Sequence, residues 1–596
     1  MTDFDVVVVG SGISGGWVAK EMSEQGFKVA VIERGRAVTP EKDYTDFTDP
    51  WDIEHLNRKT EQDRRDHPIQ SNVYAFQTYS RQFWVNDNDH PYETADNTDF
   101  IWYRGYHEGG RSIMWGRQSY RMSEIDFEAN KKDGHGVDWP ERYTDLKPWD
   151  DYVERFAGIS GSMEGLDILP DGVFQPPHDL TCGEEVFRDA VETSFPGRRV
   201  IPGRVANLTE PTQEQMELGR GKCMARDHCF QGCSFGAYFS SNSATVPAAR
   251  RTGNFTLIPD RAVHKVIVDE ATGRATGVET VDIKTGEKSV VTARVVFLNA
   301  GTIPTTMILM NSATEAASNG LANSSGQLGR NMMDHHSGAR GSAIIPGNLD
   351  KHTFGRRPNG FYIPRFRNHT EEAEGFVRGY GYQGRVLRDR WWTSLGKKGV
   401  GESFKAEART PGPWRMGMVA FGEVLPNEKN HVRMHQSKTD QWGFPVPVLD
   451  VAWGDNERNM VRQAVRDTRA MLEAAGGIDI QTDDPDTVEP APPGIGIHEM
   501  GTARMGFDPK TSVLNKWNQT WDIPNLFVTD GSFMASGGCQ NPSLTYMAFS
   551  ARAANHAAEK MKYPCRQWCL LRRKKARCKT HKPHKYKRGY HYETQS

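Results

Sequence analysis

The feature that most constrains the fold of this 596-residue chain is a run of valines followed by three regularly spaced glycines. Residues 4–9 end in four consecutive valines, which predicts a buried strand of a parallel sheet because such strands are apolar on both faces. Gly10, Gly12 and Gly15 follow directly in a G-x-G-x-x-G pattern. The first permits a tight turn, the second lets backbone approach a pyrophosphate, and the third lets the next helix pack on the sheet. The pattern therefore predicts a dinucleotide-binding turn.

The residues after the glycines complete a strand–turn–helix–strand unit. Residues 18–25 are predicted to form a helix whose N-terminal amides hold the phosphates, with Ser14 among the contacts. Residues 28–33 form the second predicted strand and end in Glu33, an acid placed to accept hydrogen bonds from ribose hydroxyls. An acid here disfavours NADP, but the motif alone does not choose between FAD and NAD. The alternative interpretation is a glycine-rich turn in an ordinary parallel sheet.

Composition and charge limit the class of protein. Charged residues make up 25% of the chain and glycine is abundant (58 residues), as is usual for a loop-rich α/β enzyme of more than one domain. No apolar stretch approaches the roughly 18 residues of a membrane-spanning helix, and we expect no signal peptide. The net charge of −2 divides into +10 over residues 563–596 and −12 over the rest, so the acidic body argues against nucleic acid as a partner.

Further along, the pattern indicates a return to the first sheet and then a second sheet. Residues 37–100 are polar and are expected to form an excursion without sheet strands. Residues 294–301 predict a buried strand that returns to the first sheet and ends in Ala300–Gly301 at a ligand edge. Residues 331–494 hold alternating aromatic segments, which predict an antiparallel substrate-side sheet. We also predict strands at 255–259, 262–268, 277–283, 288–293, 361–367 and 414–424, and helices at 146–156, 184–193, 456–475 and 548–562.

Three cysteines stand close together in the middle of the chain. Cys223, Cys229 and Cys233 form a C-x5-C-x3-C pattern, which is not a disulfide framework spread through a secreted domain. Three thiolates match a [3Fe–4S] cluster, whereas a [4Fe–4S] cluster commonly takes four. Zinc with His228 as fourth ligand is the competing metal, although its usual spacing is shorter. Three buried thiols that pack as small hydrophobes are the remaining alternative.

The C-terminal third carries motifs that, together with the opening, resemble one enzyme family. These are the stretch 496–506 around His498, the strand end Asp530–Gly531, and Asn541–Pro542. With the N-terminal glycines and the pair Gly109–Gly110, they resemble the glucose-methanol-choline (GMC) oxidoreductases, FAD flavoproteins that oxidise alcohols. The resemblance spans roughly residues 4–562 and is strongest at the two ends. It implies a Rossmann-like FAD-binding domain with an interleaved antiparallel-sheet substrate domain, an α/β (α+β) fold.

The resemblance also implies roles for individual residues. His498 would accept the hydroxyl proton of the substrate while hydride leaves for the flavin, and Asn541 would hydrogen-bond the same oxygen. Val263 would offer backbone to the adenine, and Trp115 would line the isoalloxazine with the glycine pair. The expected cofactor contacts are Gly10, Gly12, Ser14, Gly15, Glu33, Gly109, Gly110, Trp115, Val263, Ala300, Asp530, Gly531, Asn541 and Pro542.

The same resemblance suggests how the chain is divided. Residues 1–40, 100–125, 223–330 and 495–562 are expected to form the FAD-binding domain, and residues 41–99, 126–222 and 331–494 the substrate domain. The remaining segment, 563–596, is basic and reads as a disordered tail. Docking to a membrane surface or an acidic partner is the functional alternative. A third alternative is that this tail is not native to the fold.

The cysteine spacing resembles the catalytic subunits of membrane-linked bacterial sugar dehydrogenases within this family. That resemblance implies oxidation of a secondary hydroxyl, C3 of glucose or a glucoside, with electrons passing through the cluster to a cytochrome c. It also implies a small chaperone-like subunit that supplies the export signal, hence a periplasmic location and membrane association only through a partner. The alternatives are a cytoplasmic location, an oxygen-using oxidase, a gluconate-type sugar-acid dehydrogenase, and a flavin-binding protein without alcohol chemistry.

Overall fold

The computed structural model describes residues 2–49, 51–353, 358–389 and 399–563. The predicted basic tail therefore lies outside the described residues, apart from Tyr563. Among the described residues, no helix is both long enough and apolar enough to cross a membrane.

Eighteen strands are described. β1 to β9 are Phe4–Val9, Val29–Ile32, Glu93–Thr94, Ile201–Pro202, Phe255–Ile258, Arg261–Asp269, Arg274–Asp282, Lys288–Leu298 and Arg330–Met333. β10 to β18 are His336–Ile345, Phe361–Ile363, Tyr380–Arg388, Trp414–Gly422, His431–Thr439, Pro445–Asp450, Ile478–Thr482, Met500–Thr502 and Leu526–Val528.

The α-helices of the described residues connect these strands. α1 to α6 are Ile13–Glu24, Pro40–Asp43, Glu61–Asp66, Glu124–Asp133, Tyr143–Ala157 and Cys182–Ser194. α7 to α12 are Gln213–Glu217, Val246–Arg251, Thr302–Asn311, Gly401–Arg409, Asp455–Ala474 and Ser543–Lys562.

The first sheet is built around the N-terminal valines. Its order is β5-β2-β1-β8-β7-β6, with β18 also beside β8. β1 runs parallel to β2 and β8, and β2 runs parallel to β5. Val6, Val7 and Val8 are fully buried, as a strand covered on both faces must be. The predicted strand–turn–helix–strand unit and the return of the later strand to this sheet are both confirmed.

The second sheet is antiparallel and comes from the middle of the chain. Its order is β16-β10-β13-β12-β11-β4, and β13 pairs along its length with β10 and β12. Along β13, Met416, Met418 and Ala420 are buried, while the alternate Gly417 and Val419 are partly open. One face therefore packs on helices α6 and α11, and the other is free to line a ligand site. The predicted α/β fold with an antiparallel-sheet part is confirmed.

The third sheet corrects one expectation. Its order is β17-β9-β14-β15-β3. β3, Glu93–Thr94, pairs with β15, so the segment 37–100 does contribute a short strand. Two residues are too few to show an alternating pattern, and their pairing partner lies more than three hundred residues away. Strand β11 is also shorter than expected, ending at Ile363, and β13 ends at Gly422. The division of the chain into an FAD-binding domain and a substrate domain stays a prediction.

Candidate active site

One large cavity lies where the carboxyl ends of the first sheet meet the open face of the second. Its volume is about 1140 Å³, larger than the ~300–1,000 Å³ of most small-molecule pockets. It is lined at one end by the glycine turn after β1 and at the other by β10, β12 and β13. Ligands of open α/β sheets bind at this edge, so the cavity is the expected place for a dinucleotide and a substrate.

The glycine turn is shaped by contacts that exclude side chains. A Cβ on Gly10 would lie 2.5 Å from the carbonyl oxygen of Asn299, and its φ of +92° is left-handed. A Cβ on Gly15 would lie 1.9 Å from the carbonyl oxygen of Gly10, so this glycine lets α1 pack against the turn. Gly12 has nothing within 4 Å of its Cβ position, and no side chain caps the first turn of α1. The open amides of that turn face the cavity and suit an anionic diphosphate.

Glu33 holds the nucleotide side of the cavity together. Its Oε2 accepts hydrogen bonds from Ser11 N (3.0 Å) and Ser11 Oγ (2.6 Å), and its Oε1 accepts one from Gly35 N (3.0 Å). Burial raises the pKa of Glu33, while these donors favour the ionised form. Glu33 lines the cavity at the end of β2, which is where a ribose would lie next to the diphosphate.

The aromatic-flanked glycine loop is joined to the same turn. Gly109 N donates to Ser11 Oγ (2.9 Å), so the loop is linked through Ser11 to Glu33. A Cβ on Gly109 would lie 1.6 Å from Asn242 Oδ1, and Gly109 is not among the cavity-lining residues. It holds the loop in place, while Gly110 and Trp115 line the cavity. The indole of Trp115 is fixed by a hydrogen bond from Nε1 to Phe239 O (2.8 Å).

Asp530 joins two strand ends on the far side of the turn. Its Oδ2 accepts from Gly301 N (3.0 Å) and Thr305 Oγ1 (2.5 Å), which fixes the start of α9 beside β18. Its Oδ1 accepts from Ser532 N (3.1 Å). Burial raises the pKa of Asp530, and these donors again favour the carboxylate. Other predicted contacts that line the cavity are Gly10, Gly12, Ser14, Val263, Ala300, Gly531, Asn541 and Pro542, whereas Gly15 lies behind the turn.

These residues fit FAD. A cradle closed to any side chain at Gly10 and Gly15, open at Gly12 and facing a helix N-terminus suits a diphosphate. Asn299 also lines this cavity, and its buried Oδ1 has no hydrogen-bond partner among the described residues. The volume beyond the cradle leaves room for a flat ring system between Trp115 and the second sheet.

His498 and Asn541 meet in this cavity. Asn541 Nδ2 lies 3.1 Å from His498 Nε2, although the residues are 43 positions apart. Asn541 Oδ1 accepts a hydrogen bond from Gln383 Nε2 (2.6 Å) on β12. An imidazole and a carboxamide therefore lie side by side in the cavity, with the carboxamide held from the second sheet. Sequence analysis named the first two residues and missed Gln383.

His335 fixes which nitrogen of His498 carries the proton. His335 Nε2 lies 2.7 Å from the carbonyl oxygen of Gly538, which can only accept, so Nε2 must carry a hydrogen. In neutral His335, Nδ1 is then an acceptor, and it lies 2.8 Å from His498 Nδ1. His498 Nδ1 must therefore donate, which leaves Nε2 without a hydrogen, and Nε2 accepts a hydrogen bond from Asn541 Nδ2 (3.1 Å). These tautomers are assigned from the hydrogen-bond partners.

Asp334 clamps the turn that presents His498. Its two oxygens accept from the backbone N–H groups of Gly494, Gly496 and His498 at 2.9–3.0 Å. Ile497 in this turn has a φ of +60°, a left-handed conformation that a β-branched residue rarely adopts. Such a residue costs roughly 1–3 kcal/mol and persists only where neighbouring contacts hold it. Burial, with the nearby Glu499 carboxylate, raises the pKa of Asp334 to about 7.

Electrostatics keeps the His498 imidazole neutral. Burial lowers the pKa of His498 well below its usual value, and His335 and Arg111 lower it further. Arg111 is itself bound to Glu499, with Nη1 and Nη2 donating at 3.0 and 2.6 Å. A neutral imidazole whose Nε2 carries no hydrogen can accept a proton from a hydroxyl group at neutral pH.

The three cysteines face one small cavity. Cys223, Cys229 and Cys233 all line a space of about 30 Å³, roughly the volume of one water molecule. Among the described residues, no three His, Cys, Asp or Glu side chains are arranged to hold a single metal ion. Asn207 Nδ2 lies 3.9 Å from Cys223 Sγ, and backbone amides of 225, 235 and 237 bond the sulfurs of Cys223 and Cys233, but burial raises the pKa of both thiols and favours their protonated form. The loop in this conformation does not form a ready cage for an iron–sulfur cluster.

Asp46 anchors the cysteine loop to the rest of the fold. This buried carboxylate accepts from Ser234 N (3.0 Å) and Ser234 Oγ (2.6 Å) and pairs with Arg226. His228 Nδ1 lies 2.8 Å from the carbonyl oxygen of Asp46, so only Nε2 of this predicted fourth zinc ligand could bind a metal. Cys229 also lines the large cavity, which places the cysteine loop at its edge.

Comparison with known proteins agrees with this geometry. The GMC oxidoreductase family models match residues 5–337 and 426–550. The chain is 29% identical over 570 residues to 2-methyl-1,2-propanediol dehydrogenase of Mycolicibacterium austroafricanum, covering 93% of this chain and 95% of that protein. It is 27% identical over 568 residues to the fructose dehydrogenase large subunit of Gluconobacter japonicus, covering 92% and 97%.

A solved structure shares the fold. Pyridoxine 4-oxidase from Mesorbium loti superposes with a TM-score of 0.59 at 18% identity, covering 93% of this chain and 98% of that one. The family models match more than half of the chain and include both the glycine turn and the His498–Asn541 region. This chain belongs to the GMC oxidoreductase family: it is an FAD flavoprotein that acts on CH–OH groups.

Proposed function

We propose that this protein is an FAD-dependent dehydrogenase that oxidises a secondary hydroxyl of glucose or a glucoside, at C3, to a keto-sugar. The observation that carries the proposal is the pair His498 Nε2 and Asn541 Nδ2, 3.1 Å apart, in a cavity whose other end is a dinucleotide cradle. Among the relatives, C-glycoside 3-oxidase of Microbacterium trichothecenolyticum is 25% identical over 331 residues, covering 52% of this chain and 55% of that protein. The 3-oxidase activity of that relative favours C3.

The residues of the site divide the work of removing the hydroxyl proton. A substrate hydroxyl that enters between the pair donates to His498 Nε2 and accepts from Asn541 Nδ2. FAD, when bound, supplies the acceptor for the hydride of the same carbon. His335 keeps the proton of His498 on Nδ1, so that Nε2 stays the base. Gln383 holds the Asn541 carboxamide so that its NH₂ group points at the reacting oxygen.

The walls on the substrate side suit a polyhydroxylated molecule. Gln118, Asn359 and Gln383 line this part of the cavity. Gln118 and Asn359 exchange hydrogen bonds at 2.8 and 3.1 Å, which fixes the orientation of both amides. Fixed amides that can donate and accept are the usual way to recognise sugar hydroxyls.

For electron exit we propose that the loop holding Cys223, Cys229 and Cys233 opens to bind a [3Fe–4S] cluster, and that the acceptor is a cytochrome c. The support is the convergence of three thiols on one space and the N–H donors that bond their sulfurs. In a cluster each thiolate binds a different iron, so its ligands lie farther apart than around a single ion. We also propose a small chaperone-like subunit that carries the export signal and a periplasmic location.

The central experiment compares the wild type with His498→Ala under anaerobic conditions. Methyl glucoside should bleach the flavin of the wild type, and the product should be a ketone at C3 by NMR. His498→Ala should keep FAD bound and slow flavin reduction by about 10²–10⁴-fold, the usual contribution of a general base. Unchanged reduction in the variant would remove the proposed chemistry, and a ketone elsewhere would remove only the regiochemistry.

Iron analysis and an oxygen assay test the electron path. Purified protein should contain about three irons per chain and absorb broadly near ~400 nm. Protein with full FAD and no iron would remove the cluster. Stoichiometric hydrogen peroxide during sugar oxidation would identify an oxidase instead.

A further inference from the structure

The arginines that line the large cavity fall into two groups. Four of them, Arg34, Arg104, Arg111 and Arg261, are paired with carboxylates, namely Asp440, Asp87, Glu499 and Asp282. Three others, Arg117, Arg340 and Arg385, line the same cavity and form no ion pair within the part of the chain that the structure describes. In the unpaired group, Arg340 and Arg385 lie on β10 and β12 of the second sheet, whereas Arg117 lies beside Trp115.

Strand register places two of the unpaired arginines on the face that carries the catalytic support. Val419 of β13 pairs with Arg340 on one side and with Gln383 on the other, so these three residues form one row across the sheet. Arg385 is two residues beyond Gln383 on β12 and therefore points to the same face. Gln383 is the residue that holds Asn541. The Cα atoms of Arg385 and Arg340 therefore lie roughly 7 Å and roughly 10 Å, respectively, from the Cα atom of Gln383.

The sheet leaves space between these arginines. Gly417 pairs with Arg385, and a Cβ placed on Gly417 would meet nothing within 4 Å. Gly417 lies on the same face as Val419, one step along β13 from the row that holds Arg340. A substrate group placed over Gly417 would therefore have Arg385 directly beside it on β12 and Arg340 diagonally across from it on β10, next to Ser342, which pairs with Gly417.

Arg117 adds a buried positive charge to the lining of the same cavity. It is 4% exposed, donates from Nη1 to Trp115 O (2.6 Å), and packs against the rings of Phe230 and Tyr238. Among the residues that the structure describes, its buried Nε has no hydrogen-bond partner and the guanidinium group has no carboxylate partner. A cation buried in this way is costly unless a ligand supplies the negative charge.

We propose that the substrate is a sugar derivative that carries an anionic group, a carboxylate or a phosphate ester, bound over Gly417 by Arg385 and Arg340. The proposal rests on the proposed function and adds the charge class of its substrate. A carboxylate or phosphate accepts two hydrogen bonds from one guanidinium, which gives both affinity and orientation. The diphosphate of the cofactor does not explain these arginines, because its cradle at Gly10–Ser14 lies at the opposite end of the cavity.

The test compares substrates that differ only in charge at C6. Wild-type kcat/KM is measured for methyl glucoside, methyl glucuronide and methyl glucoside 6-phosphate at low and high salt. We expect at least a tenfold preference for one of the anionic sugars, and a preference that decreases with salt. The glucuronide and phosphate arms show which anion the site takes.

The variants are Arg385→Gln and Arg340→Gln, which keep a polar side chain of similar reach. Each should lower kcat/KM for the preferred anionic sugar about tenfold and leave that for methyl glucoside within twofold. Arg251→Gln, at the exposed end of α8 and outside the cavity, is the matched control and should change neither value. Calorimetric binding of glucuronate to the His498→Ala protein gives the same comparison without turnover.

The outcomes separate the two proposals. Equal kcat/KM for neutral and anionic sugars in the wild type would overturn the anionic-substrate proposal and leave sugar oxidation standing. An equal loss on both sugars in Arg385→Gln and Arg340→Gln would also overturn it, since the arginines would then support the fold of the face. If no sugar reduces the flavin of FAD-loaded wild type, the proposed function itself is wrong, and this proposal falls with it.

Discussion

The two ends of the large cavity are built in different ways. The nucleotide end is made mostly of backbone within the first 35 residues, where Gly10, Gly12 and Gly15 keep side chains out of the cradle. The catalytic end is made of side chains from four distant segments, which bring His335, Gln383, His498 and Asn541 into one hydrogen-bonded chain. Steric exclusion therefore determines what fits at the nucleotide end, and the positions of protons determine the chemistry at the catalytic end.

This difference predicts different modes of failure. A change at the nucleotide end adds atoms where backbone already stands, so it should remove the cofactor and destabilise the sheet together. A change at the catalytic end alters one hydrogen bond in a chain, so it should leave FAD in place and slow the reaction. Variants at the two ends test whether cofactor binding and reaction rate can be lost independently of each other.

The largest effect is expected for Gly15→Ala. The new Cβ would lie 1.9 Å from the carbonyl oxygen of Gly10, and neither group can rotate away because both belong to the backbone. Overpacking of this kind costs about 1–3 kcal/mol when side chains can adjust, and we expect at least the upper value here. The purified protein should show a lower Tm and little flavin absorbance relative to that at 280 nm.

Gly12→Ala is the matched control at the same turn. Its Cβ position has no protein atom within 4 Å and points into open space. The variant should fold with a Tm within a few degrees of the wild type, and only FAD affinity should fall. Gly12→Ala protein as unstable as Gly15→Ala would show that the glycines act through the turn as a whole and not through the single contact at Gly15.

An intermediate effect is expected for His335→Leu at the catalytic end. Leucine cannot accept the proton of His498 Nδ1, so the imidazole loses the partner that keeps its Nε2 lone pair toward Asn541. We expect kcat for flavin reduction to fall about 10–100-fold, the range seen when a partner that orients a histidine is removed. FAD content should stay at the wild-type level.

His335→Asn separates this positioning role from packing. The asparagine Oδ1 stands close to where the histidine Nδ1 was and can still accept from His498. Activity in this variant should be several-fold above that of His335→Leu. Equal losses in both variants would mean that His335 acts by filling space rather than by fixing the tautomer.

The sequence predicted the nucleotide end better than the catalytic end for a physical reason. The strand, the glycine turn, the helix and the acid all lie within about 30 residues of one another, so they can be recognised from local order. β1, α1 and β2 follow the predicted elements to within a few residues, except that α1 begins at Ile13 rather than at Val18. The return of β8 to this sheet was also predictable, because a continuous apolar strand has to be covered on both faces.

The catalytic end depends on contacts that no local pattern contains. His498 and Asn541 were found through a family resemblance, whereas Gln383 on β12 and His335 between β9 and β10 come from more than a hundred residues earlier. The run Asp334–His335–His336 after an apolar stretch was the signal that could have drawn attention to this site. The unpaired arginines required strand register, which alternation alone does not fix.

The smallest expected effect is a shift in pH dependence at the catalytic end. Burial, His335 and Arg111 lower the pKa of His498, so its imidazole stays neutral below the usual histidine range. A protonated His498 cannot accept the substrate proton, so kcat/KM should be flat around neutral pH and fall only as pH drops through that lowered pKa. The wild-type acid limb should therefore lie well below ~6.5.

His335→Leu and His335→Asn sharpen this prediction, because they leave different side chains next to the His498 imidazole. Neither leucine nor asparagine can be protonated, so both remove one cause of the lowered pKa, and the acid limb should move toward higher pH in each. Only His335→Leu should also lose rate on the alkaline side, where His498 is neutral in every variant and its tautomer alone matters. An acid limb near ~6.5 in the wild type would show that solvent reaches His498. The catalytic end would then not be a closed site, and burial would not be what sets the pKa of its histidine.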